Sequence, residues 1–156
     1  QAACDGQCAV VGSIERKRKE QSAPKLYDLT TLQREANRYY GFTASQTLKI
    51  VQELYEEKLV TYPRTDSQYI TEDMQQTMAD LLKHYGGEAD GVKQVVNNKK
   101  VTDHHAILPT LESCKRGSNS LSGDKEKVFA LIVWKMQQAV QPPYIFRSWS
   151  SMRMFW

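Results

Sequence analysis

Residues 26–67 read "LYDLTTLQREANRYYGFTASQTLKIVQELYEEKLVTYPRTDS", and the spacing of their apolar residues decides the fold. Leu29, Leu32, Ala36 and Tyr39 or Tyr40 recur at helical spacing and share one face. Thr30 with Gln33 fits a capping box at the start of that helix, and Gly41 suits the position just past its end. Thr43 with Gln46 then gives a second start signal, followed by the apolar row Leu48, Val51, Leu54 and Tyr55. Two helices joined by a tight glycine turn make a helix-turn-helix candidate, a pattern that plain helical hairpins share.

Downstream, Leu59 to Tyr62 reads as a short strand that Pro63 ends, because proline cannot donate to a sheet ladder. Thr71, Glu72 and Asp73 are placed to cap a third helix with Met74, Met78, Leu81 and Leu82 on its apolar side and Gly86-Gly87 at its close. A weakly patterned stretch leads to "VTDHHAILPT" at residues 101–110 and then to a loop by composition, 111–124. A last helix over 125–140 carries Val128, Leu131, Ile132, Lys135 and Met136 and stops before Pro142-Pro143. Upstream, "CAVVGSIERKRKE" reads as a strand that runs into a charged linker. The fold class expected is mainly α with a few short β-strands. No internal repeat is present.

Composition narrows the function classes. The 156 residues with a formal charge of +3 suit one globular domain, or one domain with parts of a neighbour. No apolar run approaches the roughly 20 residues of a membrane span, and the first residues lack a secretory layout, so the chain reads as soluble and intracellular. It starts without Met and ends on Met154-Phe155-Trp156, which suggests a piece of a larger protein. Cys4, Cys8 and Cys114 support neither a disulfide framework nor a four-ligand zinc site. "ERKRKE" at residues 15–20 and Lys99-Lys100 gather basic charge locally. Such runs are most often solvated, and a phosphate-contacting patch is the alternative.

Two clusters carry potential chemistry. In "TYPRTDS", a phenol lies two residues from a guanidinium. A tyrosine hydroxyl titrates near 10, so holding one as phenolate at neutral pH costs about 4 kcal/mol. A neighbouring arginine offsets part of that cost, and its fork also matches two oxygens of a phosphodiester. Tyr62 as nucleophile and Arg64 as phosphate clamp would form a phosphotyrosine link. The plainer reading is a half-buried strand tyrosine beside a turn in which Asp66 and Ser67 bond backbone amides. In the second cluster, His104 and His105, a strand would turn the two rings to opposite faces, so at most one could serve a given site. A surface pair is the plainer reading there.

Together, residues 26–67 and "DHHAILPT" at 103–110 resemble the type IA DNA topoisomerases, in their topoisomerase III branch. The resemblance runs over roughly residues 10–141. It implies that Tyr62 attacks the DNA backbone and keeps a 5′-phosphoryl end, that Arg64 orients the scissile phosphate, and that His104 binds DNA near the cut. His105, Thr65 and Ser67 are the further DNA-contacting candidates it implies. The implied whole enzyme is an ATP-independent isomerase that relaxes or decatenates underwound DNA, with Mg2+ held by an acidic Toprim-type domain. Nothing in this chain matches that domain, so no metal is expected here. Single-stranded DNA and the remainder of a topoisomerase chain are the implied partners, with room for a helicase and none for a membrane; the implied location is a bacterial cytoplasm, at the nucleoid.

Domain by domain, the resemblance sets residues 1–25 as the end of an arch domain, 26–123 as a helix-turn-helix, winged-helix-like tyrosine domain, and 124–156 as a helix and the start of a return strand. Where the family continues into a strand with an acidic residue, this chain reads "YIFRSWSSMRMFW", whose apolar crowding predicts an unpaired, adhesive segment if exposed. The chain alone is expected to bind DNA weakly and relax none. Two rivals stand beside this reading. A winged-helix DNA-binding module without catalysis predicts sequence-dependent duplex binding, and a structural module predicts a silent Tyr62.

Overall fold

The structure is a computed structural model that describes residues 10–116, 121 and 123–155. The chain divides into two compact units. One is an antiparallel pair, β1 (Val10–Gln21) and β2 (Tyr144–Phe155), in a register that runs from Gln21 opposite Tyr144 to Val10 opposite Phe155, with irregularities between Val11 and Ser13 and between Ile14 and Arg16. The charged "ERKRKE" is therefore strand. The segment expected to be unpaired is paired with β1 from Tyr144 to Trp149 and from Met152 to Phe155, because β1 offers it backbone donors and acceptors.

The other unit, Ala23–Pro142, holds α1 (Leu29–Tyr40), α2 (Ala44–Glu56), α3 (Gln75–Tyr85), α4 (Leu111–Arg116) and α5 (Gly123–Ala139). The sequence reading grouped α5 with the return strand; here it packs among the other helices, against α1, α2 and α3. The helix pair around Gly41 is present. Gly41 is left-handed at φ 70° and its N–H reaches the Asn37 carbonyl at 2.8 Å, while the Asn37 amide bonds the Phe42 carbonyl at 2.9 Å and so closes the turn. Beside the pair, this unit has isolated bridges among its described residues in place of a hairpin wing.

The capping of α2 is as expected, with Thr43 and Gln46 bonded reciprocally. That of α1 is not. Asp28 is the cap, its carboxylate accepting from the Thr31 N–H at 2.6 Å, and the helix begins before Thr30. Gln33 instead donates across the turn to the Ala44 carbonyl. Thr71 makes no side-chain cap either: α3 is entered through a 3-10 turn, Glu72–Met74, and the Glu72 N–H takes Asn98 Oδ1 at 2.9 Å. The expected strand over Leu59 to Tyr62 shrinks to one bridge, Val60 with Pro109. The pairing extends no further because the N–H groups that would continue it are taken elsewhere, that of Leu108 by the Thr61 hydroxyl and that of Leu59 by the Leu54 carbonyl.

Apolar burial is shared between two clusters. Leu32, Ala36, Val51, Leu54, Leu59, Val60 and Ile107 belong to one; Leu26, Ile70, Met78, Leu81, Leu82, Val92, Ala106 and Leu108 belong to the other. The segment 106–108 is extended and sends alternate side chains into each, as a period of two requires. Helix α5 serves both as well: Val128, Leu131 and Ile132 join the first cluster, Met136 and Ala139 the second. Tyr39, Tyr40 and Tyr55, set on apolar faces by spacing alone, are exposed by 51, 38 and 41%; the core is already filled by the smaller residues beside them.

Lys58 follows α2 with φ 62°, outside the usual range of a residue that carries a Cβ. Its N–H still returns to the Tyr55 carbonyl at 2.8 Å and the Leu59 N–H to that of Leu54 at 2.9 Å, so the helix end dictates this conformation. The Lys58 side chain is exposed. Lys58→Gly is expected to raise unfolding free energy by about 0.5 to 1 kcal/mol, as relief of left-handed strain outweighs the entropy glycine adds to the unfolded chain. A urea titration reads it, and a loss of stability would contradict the account.

Candidate active site

The loop after Lys58 has almost no regular secondary structure, yet it is fastened at every second residue. The Thr61 N–H bonds the Leu108 carbonyl at 2.9 Å, and the Thr61 hydroxyl donates to Ala106 O at 3.1 Å and accepts from the Leu108 N–H at 3.0 Å. The Thr65 hydroxyl donates to His104 O at 2.9 Å and accepts from the Ser67 N–H at 3.1 Å. The Ser67 hydroxyl reaches Lys100 O at 2.9 Å, and the Tyr69 carbonyl accepts from the Ala106 N–H at 2.9 Å. The Thr65 carbonyl accepts from the Leu29 N–H at 3.1 Å and so ties the loop to the first turn of α1. Thus "TYPRTDS" and "DHHAILPT" are two sides of one hydrogen-bonded assembly. Buried Pro63, Thr65 and Ser67 alternate with exposed Arg64 and Asp66, so the buried residues fix the loop while the charged ones face out.

Tyr62 is half-buried between two rings. His104 lies at 4.3 Å between centroids, tilted by 42°, and Tyr55 of α2 meets the ring edge-on at 5.5 Å and 80°. Such pairs fix a ring's position and add about 0.5 to 1.5 kcal/mol each beyond area burial for aromatic partners. The Tyr62 hydroxyl has no protein hydrogen-bond partner among the described residues, unlike Tyr27, which donates to Glu35, and Tyr85, which pairs with Ser113. Burial, then the bond to Glu35, raises the Tyr27 hydroxyl far above the ordinary tyrosine range, so that buried phenol is held protonated.

Arg64 stands on the exposed side, with Nη2 donating to Gln52 Oε1 at 3.3 Å. Among the described residues neither a hydrogen bond nor a cation–π contact joins it to Tyr62. Arg64, Thr65, Asp66 and His104 line a cleft of about 510 Å³ with Asp28 and Asp103. Asp66 makes no hydrogen bond among the described residues; the turn it was expected to cap is held by the Thr65 hydroxyl, which accepts from the Ser67 N–H. His105 turns inward and pairs Nδ1 with the Ala106 carbonyl at 2.8 Å, while His104 is exposed. The two histidines therefore do diverge, though on a loop and not a strand.

The sequence reading missed Tyr55 as a neighbour of Tyr62, Gln52 as the partner of Arg64, and the carboxylates of Asp28 and Asp103 as cleft walls. Only the first had a visible signal: Val51 and Tyr55 are one helical turn apart, so Tyr55 could have been placed at the α2 end that feeds the loop. Thr65→Val is expected to cost about 1 to 3 kcal/mol, because it leaves His104 O and the Ser67 N–H without their partner. Thermal unfolding checks this, and an unchanged midpoint would show that water replaces the bonds freely.

Among the described residues no three His, Cys, Asp or Glu side chains come together so as to hold a metal ion. The described residues therefore offer no set that would hold the Mg2+, which the resemblance assigns to a separate acidic domain. No described helix is long and apolar enough to cross a membrane. Cys114 is a free thiol; Cys4 and Cys8 lie outside the described residues.

Residues 1–151 match the family described as DNA topoisomerase. The chain belongs to that family. The DNA topoisomerase 3 of Bacillus licheniformis is 40% identical over 156 residues, covering 91% of this chain and 21% of that protein. The Bacillus subtilis DNA topoisomerase 3 is 40% identical over 153 residues, 89% of this chain and 21% of its own length. In solved structures, the full-length topoisomerase I of Thermotoga maritima superposes with a TM-score of 0.67 at 26% identity, covering 89% of this chain and 24% of that one. This topoisomerase chain thus spans about a fifth of the length of the curated relatives it matches, and the type IA resemblance and the mainly helical fold expected from its sequence both hold.

Proposed function

We propose that this chain carries the strand-cutting tyrosine of a type IA topoisomerase. The Tyr62 oxygen attacks a DNA phosphorus, the O3′ of the neighbouring nucleotide leaves with its bonding pair and ends as a hydroxyl, and the phenol gives up its proton. One phosphoester replaces another, so the energy of the broken bond is kept in the 5′-phosphotyrosine ester and resealing is the reverse step. No nucleotide hydrolysis is needed to balance it. The observation that carries the reading is the Tyr62 side chain itself: its ring is clamped between Tyr55 and His104 while its hydroxyl has no protein partner among the described residues. A fixed ring with a free oxygen suits a nucleophile, since the geometry is set before the substrate arrives.

The other residues take roles that follow from their exposure. Arg64, exposed at the cleft and tethered by Gln52, is the phosphate clamp; its fork stabilises charge as it builds on the phosphoryl oxygens. His104 stands between the Tyr62 ring and the cleft and can donate to a phosphate. Thr65 and Ser67 act through the loop, since their hydroxyls are engaged with backbone partners. His105 likewise faces an internal carbonyl. The remainder of a topoisomerase chain would supply the acidic domain that holds Mg2+, and one strand of underwound DNA is the substrate.

The test uses a chimera in which this chain replaces the matching segment of the Bacillus subtilis DNA topoisomerase 3. With single-stranded oligonucleotides labelled at one end, denaturation should leave protein bound to the 3′-end-labelled strand and release the 5′-end-labelled piece free. Attachment to the 5′-labelled piece, or no attachment by a chimera that still binds the strand, would overturn the assignment.

A further inference from the structure

Tyr69 lies at the far end of the same loop, half-buried, and two lysines converge on its ring. The Lys25 Nζ stands 5.4 Å from the ring centroid and the Lys100 Nζ 5.0 Å. Both lysines and the adjacent Lys99 are exposed. None of the three forms an ion pair with a carboxylate among the described residues, whereas Lys115, Lys125, Lys127 and Lys135 all do. Two ammonium groups gathered on one ring repel each other, and the ring face offsets only part of that repulsion. The arrangement is one anion short.

We propose that Lys25, Tyr69 and Lys100 form a second phosphate-binding position, which takes a backbone phosphate of the single strand whose scissile phosphate sits at Tyr62. The proposal rests on the reading of Tyr62 given above and adds where the same strand is held. Three features support it. The ring fixes both lysine stems, so less rotamer freedom is lost when they clasp an anion than for free surface lysines. The cluster is also joined to the cutting loop by its backbone, since the Ser67 hydroxyl bonds Lys100 O at 2.9 Å and accepts from the Tyr69 N–H at 3.2 Å. A phosphate held here and one at Arg64 would thus be held by a single assembly. Finally, Lys25, working against burial and joined by Lys100, lowers the Tyr69 hydroxyl below its usual range, the sign of a positive local field that also draws in a phosphodiester. The remaining surface of the ring offers a base a face to stack on, as single-strand grooves commonly do.

The test measures binding of the full 156-residue chain to a fluorescent all-thymidine oligonucleotide across a series of salt concentrations. Each phosphate neutralised on a single strand contributes about 0.7 to the log–log salt slope. Lys25→Gln with Lys100→Gln removes one neutralised phosphate and should therefore weaken binding and make the slope shallower by about 0.7. As a control, Lys83→Gln with Lys93→Gln, two exposed lysines outside the cluster, should leave the slope unchanged. A slope unaltered by the first pair, or altered equally by the second, would overturn the proposal. Tyr69→Phe should keep most of the affinity and Tyr69→Ala lose it; equal binding by both would show that the ring is not needed. Covalent attachment by the chimera is read separately, so an unchanged slope defeats this inference alone, while failure to attach defeats the Tyr62 reading and with it the link between this phosphate position and the cut strand.

Discussion

Tyr62→Phe in the chimera is expected to abolish covalent attachment and relaxation, by at least about 10⁴-fold, the scale on which losing a covalent nucleophile registers. The substitution deletes one oxygen and leaves the ring that Tyr55 and His104 hold at 5.5 and 4.3 Å. Because that oxygen has no protein hydrogen bond among the described residues, no partner is stranded by its loss. Stability should stay within about 0.5 kcal/mol of the parent, as for other substitutions that break no buried interaction. DNA affinity should likewise persist, since Arg64, His104 and the lysines are untouched. The contrast separates nucleophile from scaffold. If the Tyr62→Phe variant still became joined to DNA, another residue would be the nucleophile; if it unfolded, the ring contacts would not be what holds the loop. The same change made at Tyr27 should behave differently, because that hydroxyl is bonded to Glu35, which also pairs with buried Lys135.

Gly91→Ala is expected to be the most destabilising small substitution in the helical unit. A Cβ built on Gly91 would overlap the Val140 carbonyl oxygen and lie 2.6 Å from the carbonyl carbon and 3.0 Å from Cα of that residue. The obstacle is backbone, so no side-chain rotation can relieve it. Gly91 itself has an ordinary φ of −85°, which makes this a matter of space and not of conformational freedom. To admit the methyl group, the turn Val92–Val95 must withdraw from the end of α5, and Val92 and Val95 share a cluster with Met136, Ala139 and Val140. Opening that cluster should cost about 3 kcal/mol, at the upper end for overpacking, and lower the melting temperature of the chain by roughly 10 °C. A shift of less than about 2 °C would mean that the turn is not seated as closely as these distances state.

The helix pair was legible in the sequence, and the reason is local. Thr43 with Gln46, Gly41 after α1 and Gly86 after α3 act through bonds spanning three or four residues, so each leaves its mark in a short window. Helix α5 was legible from its apolar spacing, although it is covered on both sides and feeds two clusters. The cap of α1 was misplaced because two threonine or aspartate signals lie close together, and a distant group helps to decide between them: the Leu29 N–H, which as the first of the helix has no intrahelical partner, is taken by the Thr65 carbonyl. Tyr55 was assigned to the core for a similar reason. Spacing gives a face, but which end of that face is covered depends on what else arrives there.

What the sequence by itself determined is the family, the order of the helices, and "TYPRTDS" and "DHHAILPT" as two stretches that carry the resemblance. Their residue types and spacing are enough for that, because they are a property of the chain and not of its path. What only the tertiary structure decided is how these stretches are arranged: that His104 and Tyr55 flank the Tyr62 ring, that Thr65 and Ser67 hold the loop from inside, and that Lys25 and Lys100 meet at Tyr69. These contacts join residues as far apart as the 44 positions between Lys25 and Tyr69. Hydrogen bonds and ring contacts over such separations follow no period, so they leave no trace in the order of residues until the chain has folded.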